Sequence, residues 1–149
     1  HHEFYGGIRT PRQIELFYQY ADPEYVKFFL DTAQHCIADV DPVALYDQHH
    51  ERVSGFHFKD TRFVDTNEDY KLRPDAELLA KTTEKWFYEM GTAEGLVDFE
   101  AMMRAVKDHG YTGWISVEHD KANKIGGDYS ESTAISRWYA KNVLEEIYR

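Results

Sequence analysis

Asp31, His57 and Glu118 are the residues whose types and positions can be combined into chemistry. They sit in or just after the apolar runs Tyr25–Leu30, Val53–Phe58 and Trp114–Val117, which are rich in β-branched and aromatic residues and read as buried strands. In parallel α/β folds, ligands bind at the carboxyl ends of the strands. Two carboxylates and an imidazole gathered there make a hard, oxygen-rich site with open positions for one divalent cation. Mn²⁺ is the first expectation, and Mg²⁺, Co²⁺, Zn²⁺ and Fe²⁺ are also suited. A fourth ligand has to come from a neighbouring strand, for which His1-His2-Glu3 offers the candidates, His1 or Glu3.

Each residue also has a plainer reading. Asp at a strand end commonly caps a turn or a helix. If Phe56 and Phe58 face the helices, His57 points to the other face of the sheet, where a solitary buried His is ordinarily just hydrogen-bonded. Glu118 is harder to set aside, because an unpaired buried carboxylate is costly. Three such groups at three strand ends favour the metal reading. His35, His49, His50 and His109 lie on or near helices and are expected in solvent, and His119 is expected to point away from the face that Glu118 lines.

Elements must hold these groups in place, and the punctuation of the chain supplies them. Thr10-Pro11-Arg12-Gln13 has the capping-box pattern, and Ile14, Phe17 and Tyr18 then follow the helical period, predicting a helix over 11–21. Asp22-Pro23 stops it. Asp41-Pro42 opens a second helix to about His50, and Asp98 caps a third that carries Phe99, Met102, Met103 and Val106 and ends at Gly110 in a left-handed cap. A last helix, after Gly126-Gly127, carries Ile135, Trp138, Tyr139, Val143 and Ile147. Between residues 61 and 96 the periodicity fades around Trp86-Phe87-Tyr88, as in a lid or binding loop or, equally, an aromatic packing cluster or subunit contact. The order helix, strand, helix, strand, lid, helix, strand, helix means parallel βα units, doubly wound or barrel. No Gly-rich phosphate fingerprint follows any strand, which disfavours a dinucleotide-binding sheet.

Composition bounds the answer. The 149 residues suit one domain, and 23 Phe, Tyr and Trp residues make the chain globular rather than disordered. Seventeen Lys+Arg against 27 Asp+Glu give a charge of −10, which argues against nucleic acid and against an anionic membrane surface. The single cysteine, Cys36, excludes an intrachain disulfide and a Cys-rich zinc site, so a reducing compartment, the cytoplasm, is expected. No apolar run reaches the ~20 residues of a membrane span.

The blocks Asp31-Thr32-Ala33-Gln34, Asp41-Pro42-Val43-Ala44-Leu45, Gly55-Phe56-His57-Phe58-Lys59-Asp60, Gly95-Leu96-Val97-Asp98-Phe99 and Gly113 to Asp120 resemble, in order, the C-terminal half of the sugar phosphate isomerase/epimerase family of xylose isomerase-like TIM barrels, in the flavour of its inosose dehydratase branch. The resemblance implies a (β/α)₈ barrel, here strands five to eight with their helices, holding one divalent metal at its C-terminal mouth. The implied ligands are His1 or Glu3, Asp31, His57 and Glu118. Lys59 is the implied substrate-contacting cation, with Arg62 a further candidate. Two features depart from the family. Gln34 stands where a substrate-binding His is usual, with His35 displaced by one, and a Gln can bond a hydroxyl but cannot shuttle a proton. The strand-five motif reads His1-His2-Glu3 rather than an acidic residue or His, any residue, then His.

The implied chemistry is proton abstraction next to a carbonyl of a sugar or polyol, with Glu118 or its strand-five counterpart as base and Lys59 steadying the enediolate. Isomerisation, epimerisation and dehydration share that first step. A non-catalytic sugar binder is the alternative that Gln34 favours, while the DNA-repair branch of the same superfamily is disfavoured by the negative charge and the sparse strand-end histidines. Because an eight-stranded barrel takes ~250 residues, a chain without an initiator Met is expected to be an N-terminally shortened half, and the open sheet edge to favour homo-oligomers.

Overall fold

Capping side chains and Pro residues start the helices where the sequence places them. The computed structural model describes residue 8 and residues 10–64, 87–119 and 129–149. Helix α1, Pro11–Tyr20, begins at a complete capping box in which the Thr10 hydroxyl accepts from the Gln13 amide and the Gln13 side chain accepts from the Thr10 amide. Helix α3, Pro42–His49, is capped by Asp41, and α4, Phe99–Asp108, by Asp98. Past α4, Gly110 takes φ +64, the left-handed turn that only glycine adopts without strain.

Strands β1 (Phe28–Asp31), β2 (Val53–Phe58) and β5 (Ile115–Val117) form one parallel sheet in the order β1-β2-β5. β1 is shorter than the expected run from Tyr25. Its first residues are drawn into a turn by the Asp22 carbonyl, which accepts from the amides of Tyr25 and Val26, and Tyr25 is exposed. β5 likewise starts one residue late, leaving Trp114 in solvent.

The pleat sorts the side chains by parity. Phe28, Leu30, Phe56, Phe58 and Ile115 face the helices and pack with Ile14 and Tyr18 of α1 and Met102 and Val106 of α4. The opposite face carries Phe29, Asp31, His57 and Ser116. The chain closes on helix α5 (Tyr129–Tyr139), which passes through a π-helical turn (Ala140–Leu144) into α6 (Glu145–Tyr148).

A short helix and a two-stranded ribbon were not anticipated. A six-residue helix, α2 (Thr32–Ile37), follows β1 directly. A short antiparallel ribbon of β3 (Asp60–Thr61) and β4 (Phe87–Tyr88) forms the two ends of the 61–96 excursion, whose residues 65–86 lie outside the described residues. Among the described residues no helix is long and apolar enough to cross a membrane. A cavity of about 600 Å³, lined by Phe58, Met103, Val106, Ile115, Val117 and Leu144, opens on the helix-facing side of β5 and carries none of Asp31, His57 and Glu118.

Candidate metal centre

Register brings the strand-end groups together. Asp31 is the direct partner of His57, and His57 of Ser116, with Glu118 two residues further along the same face. The Glu118 amide donates to the Phe58 carbonyl, which continues the pairing past the end of β5. One donor atom from each of Asp31, His57 and Glu118 lies within 4.8 Å of the other two. His57 Nδ1 is 2.9 Å from Glu118 Oε2 and 3.6 Å from Asp31 Oδ2.

Asp31 caps a helix with one carboxylate oxygen and faces the cluster with the other. Its Oδ1 accepts from the Gln34 amide at 2.9 Å and caps α2, while its fully buried Oδ2 turns to His57 and to Lys59. Lys59, 1% exposed, places Nζ 3.1 Å from Asp31 Oδ2 and 2.8 Å from Glu118 Oε2. The ring of Phe87 from β4 lies 4.3 Å from the same Nζ. The lysine backbone is fixed as well, since the Thr32 hydroxyl donates to the Lys59 carbonyl at 2.7 Å and accepts from its amide at 3.0 Å.

The electrostatics follow from this crowding. Burial alone would raise the Asp31 carboxyl, but His57, Lys59 and the Gln34 amide hold it below the usual carboxylate range. The Asp31 carboxylate beside it raises the His57 imidazole against the pull of burial and of Lys59, with the Glu118 charge adding to the rise. Divalent cations sit about 2.0–2.6 Å from O and N donors, so the donors around one ion lie roughly 3–4 Å apart. The spacing of the three side chains fits such an ion. So does the buried Asp31 Oδ2, which meets its cationic neighbours as ion pairs rather than as well-directed hydrogen bonds.

These observations agree with a comparison of the whole sequence against known families, in which the xylose isomerase-like TIM barrel family matches residues 1–140. The chain belongs to that family. Its relatives include an inosose dehydratase of Lacticaseibacillus casei, 29% identical over 121 residues, covering 81% of this chain and 39% of the relative. An inosose dehydratase of Bacillus velezensis is 27% identical over 144 residues, covering 97% and 47%. A solved sugar phosphate isomerase/epimerase from Parabacteroides distasonis shares the fold with a TM-score of 0.60 at 21% identity, over 88% of this chain and 36% of that one. The chain thus spans less than half the length of the curated relatives it matches, and its parallel sheet with helices on one face is part of a barrel of this family.

The other sequence candidates are placed less centrally. His1 and Glu3 lie outside the described residues. Gln34 is buried in α2. Arg62 is turned onto the ribbon, where its guanidinium lies 4.0 Å from the Tyr88 ring and pairs with Glu94 at 3.3 Å, so the structure does not bring it to the cluster.

The expectation that His35 is solvated is overturned. Its ring is fully buried against Phe28, Nδ1 lies 2.6 Å from the Asp31 carbonyl oxygen, and burial depresses its pKa to about 4, so it is a neutral support behind Asp31. His49 stacks on Tyr18, and His50 stacks on His109, which pairs with Asp47. His119 is half-buried and within electrostatic reach of Glu89, Lys59 and Glu118.

Proposed function

We propose that this chain carries the metal centre of a divalent-metal-dependent enzyme that acts on a sugar or keto-polyol by removing a proton next to a carbonyl. The observation that carries the reading is the convergence of Asp31, His57 and Glu118 at the ends of three parallel strands, with the Lys59 ammonium between the two carboxylates. Asp31, His57 and Glu118 would hold the ion, which when bound supplies Lewis acidity to the oxygens flanking the reacting carbon; Mn²⁺ suits this donor set.

The protein's own groups divide the remaining work. Glu118, the more exposed of the two carboxylates, takes the proton from carbon. Lys59, held at 2.8 Å from Glu118, stands where negative charge develops on the substrate oxygen and stabilises the enediolate without reorganising. Gln34 offers hydrogen bonds to a substrate hydroxyl. Return of the proton to the neighbouring carbon gives isomerisation, return to the opposite face gives epimerisation, and loss of a β-hydroxyl gives dehydration. The names of the inosose dehydratase relatives support the last outcome. Family resemblance supports a small-molecule sugar or polyol as substrate.

The second reading is a sugar binder without turnover, favoured by Gln34 and by His35 being buried and neutral, which leave no proton-carrying imidazole on α2. Metal analysis and solvent exchange separate the two. The enzyme reading expects a stoichiometric divalent ion and deuterium uptake from D₂O at the carbon next to the carbonyl of an inosose or a ketose, abolished in Glu118→Gln. Full turnover by Glu118→Gln with Mn²⁺ present would sink the base assignment, and a metal-free protein that binds polyol without exchange would establish the binder.

A further inference from the structure

The 61–96 excursion leaves β2 immediately after Lys59 and returns immediately before α4, and one side chain joins its two ends. Asp60 is 2% exposed, and its Oδ1 accepts from three backbone amides: Thr61 at 2.8 Å, Leu96 at 3.1 Å and Val97 at 3.2 Å. The Leu96 amide also donates to the Thr61 carbonyl at 2.8 Å. The other carboxylate oxygen fills the space beside Gly95, where a Cβ would come within 1.9 Å of Oδ2, so only glycine lets the returning chain lie against the acid. Asp60 pairs with Tyr88 and Thr61 with Phe87 across the β3–β4 ribbon, which puts the Phe87 ring over the Lys59 ammonium. Arg62 is spent on the same ribbon, between Tyr88, Thr92 and Glu94.

We propose that Asp60 is a positioning residue for Lys59: by stapling both ends of the excursion it holds the β3–β4 ribbon so that Phe87 packs over the ammonium and keeps it between Asp31 and Glu118. The staple itself stands on the geometry of residues 60–61 and 95–97, whereas its consequence for substrate contact rests on the proposed role of Lys59. A strand pair of two residues on each side has little hold of its own. The three amides converging on one buried oxygen supply what the ribbon lacks, because a charge-assisted bond to a backbone amide is about twice as strong as a neutral one.

The test uses the 149-residue chain and two readouts that need no turnover. Hydrogen exchange at the Val97 amide, which donates to Asp60, reports the staple. The ε-methylene resonances of Lys59, shifted upfield by the ring current of Phe87, report the ammonium. Asp60→Ala is expected to speed Val97 exchange at least tenfold and to move the Lys59 resonances toward their exposed-lysine position. Gly95→Ala, which displaces the carboxylate without removing it, should do the same, while Asp60→Asn, which keeps one neutral acceptor, should restore part of both. Phe87→Leu should move the Lys59 resonances alone. Asp98→Ala, a loss of helix cap only, should move neither. Where the wild type turns over a substrate, Asp60→Ala and Phe87→Leu are expected to raise KM severalfold more than they lower kcat. Unchanged Val97 exchange in both Asp60→Ala and Gly95→Ala would overturn the staple. Unchanged Lys59 resonances in Asp60→Ala would overturn the positioning role, whether or not any substrate is turned over.

Discussion

Replacing Lys59 by Met removes the cation from between two carboxylates while keeping most of the buried volume. The ammonium is 3.1 Å from Asp31 Oδ2 and 2.8 Å from Glu118 Oε2. At an effective dielectric of about 20, each contact amounts to roughly 5–6 kcal/mol of attraction before desolvation is subtracted. The net loss is smaller, since the lysine no longer has to be desolvated and Glu118 is partly exposed to water. What decides the outcome is Asp31, which is fully buried and would be left as a buried anion with the Gln34 amide and His57 but without its ammonium partner. Breaking a buried pair from one side costs about 3–5 kcal/mol, or roughly 6–20 °C in melting temperature for a chain of this length. The assay is urea denaturation of wild type and Lys59→Met at pH 7, with and without Mn²⁺, alongside Lys27→Met, which removes an exposed charge. A divalent ion on Asp31, His57 and Glu118 would replace the missing charge, so Mn²⁺ should stabilise Lys59→Met more than wild type. A loss below about 1 kcal/mol, or equal stabilisation of the two proteins by Mn²⁺, would refute the account of one cation neutralising a shared pair of carboxylates.

Two further outcomes are expected. Burial pushes the Asp60 carboxyl up to about 6 from an ordinary 3.8, against the three amides and Arg62 that favour its charge, so between those values the folded chain binds a proton that the unfolded chain does not. Asp60 therefore contributes stability that is fully present below about pH 4 and is lost as pH rises through 6, about 3 kcal/mol in all. The difference in unfolding free energy between wild type and Asp60→Asn should fall over that interval, and parallel curves would contradict it. Thr32→Val keeps the shape of α2 but removes both hydroxyl bonds to the Lys59 backbone, so equilibrium denaturation should register a loss of about 1–3 kcal/mol, with Thr32→Ser near wild type.

The strands and their site-bearing face were legible because both depend on local pattern. An apolar run fixes a strand, and the period of two then fixes which residues look the same way, so Phe56 and Phe58 toward the helices imply His57 on the other face, whereas Lys59 was indicated only by the family resemblance. Helix α2 was not legible. Its N-cap is Asp31 itself, the residue that also closes β1, and five of its six residues are buried, so no polar side of a helix marks it in the sequence. The same packing is why His35 misleads: a histidine on so short a helix, wedged between sheet and α3, has no solvent to face.

The grip on Lys59 was legible least of all, because its parts are far apart in the chain and follow no period. Thr32 comes from the preceding βα unit, Phe87 and Gly95 from the far end of the excursion, and Asp60 reads in sequence as one more residue of a strand-end block. Local rules therefore find the groups that reach the centre, while the proposed hold on the cation rests on contacts between the two ends of the excursion. Those contacts are tertiary: on that proposal a change at Gly95, remote in sequence and bearing no charge, should disturb the lysine as surely as a change at its neighbour Asp60.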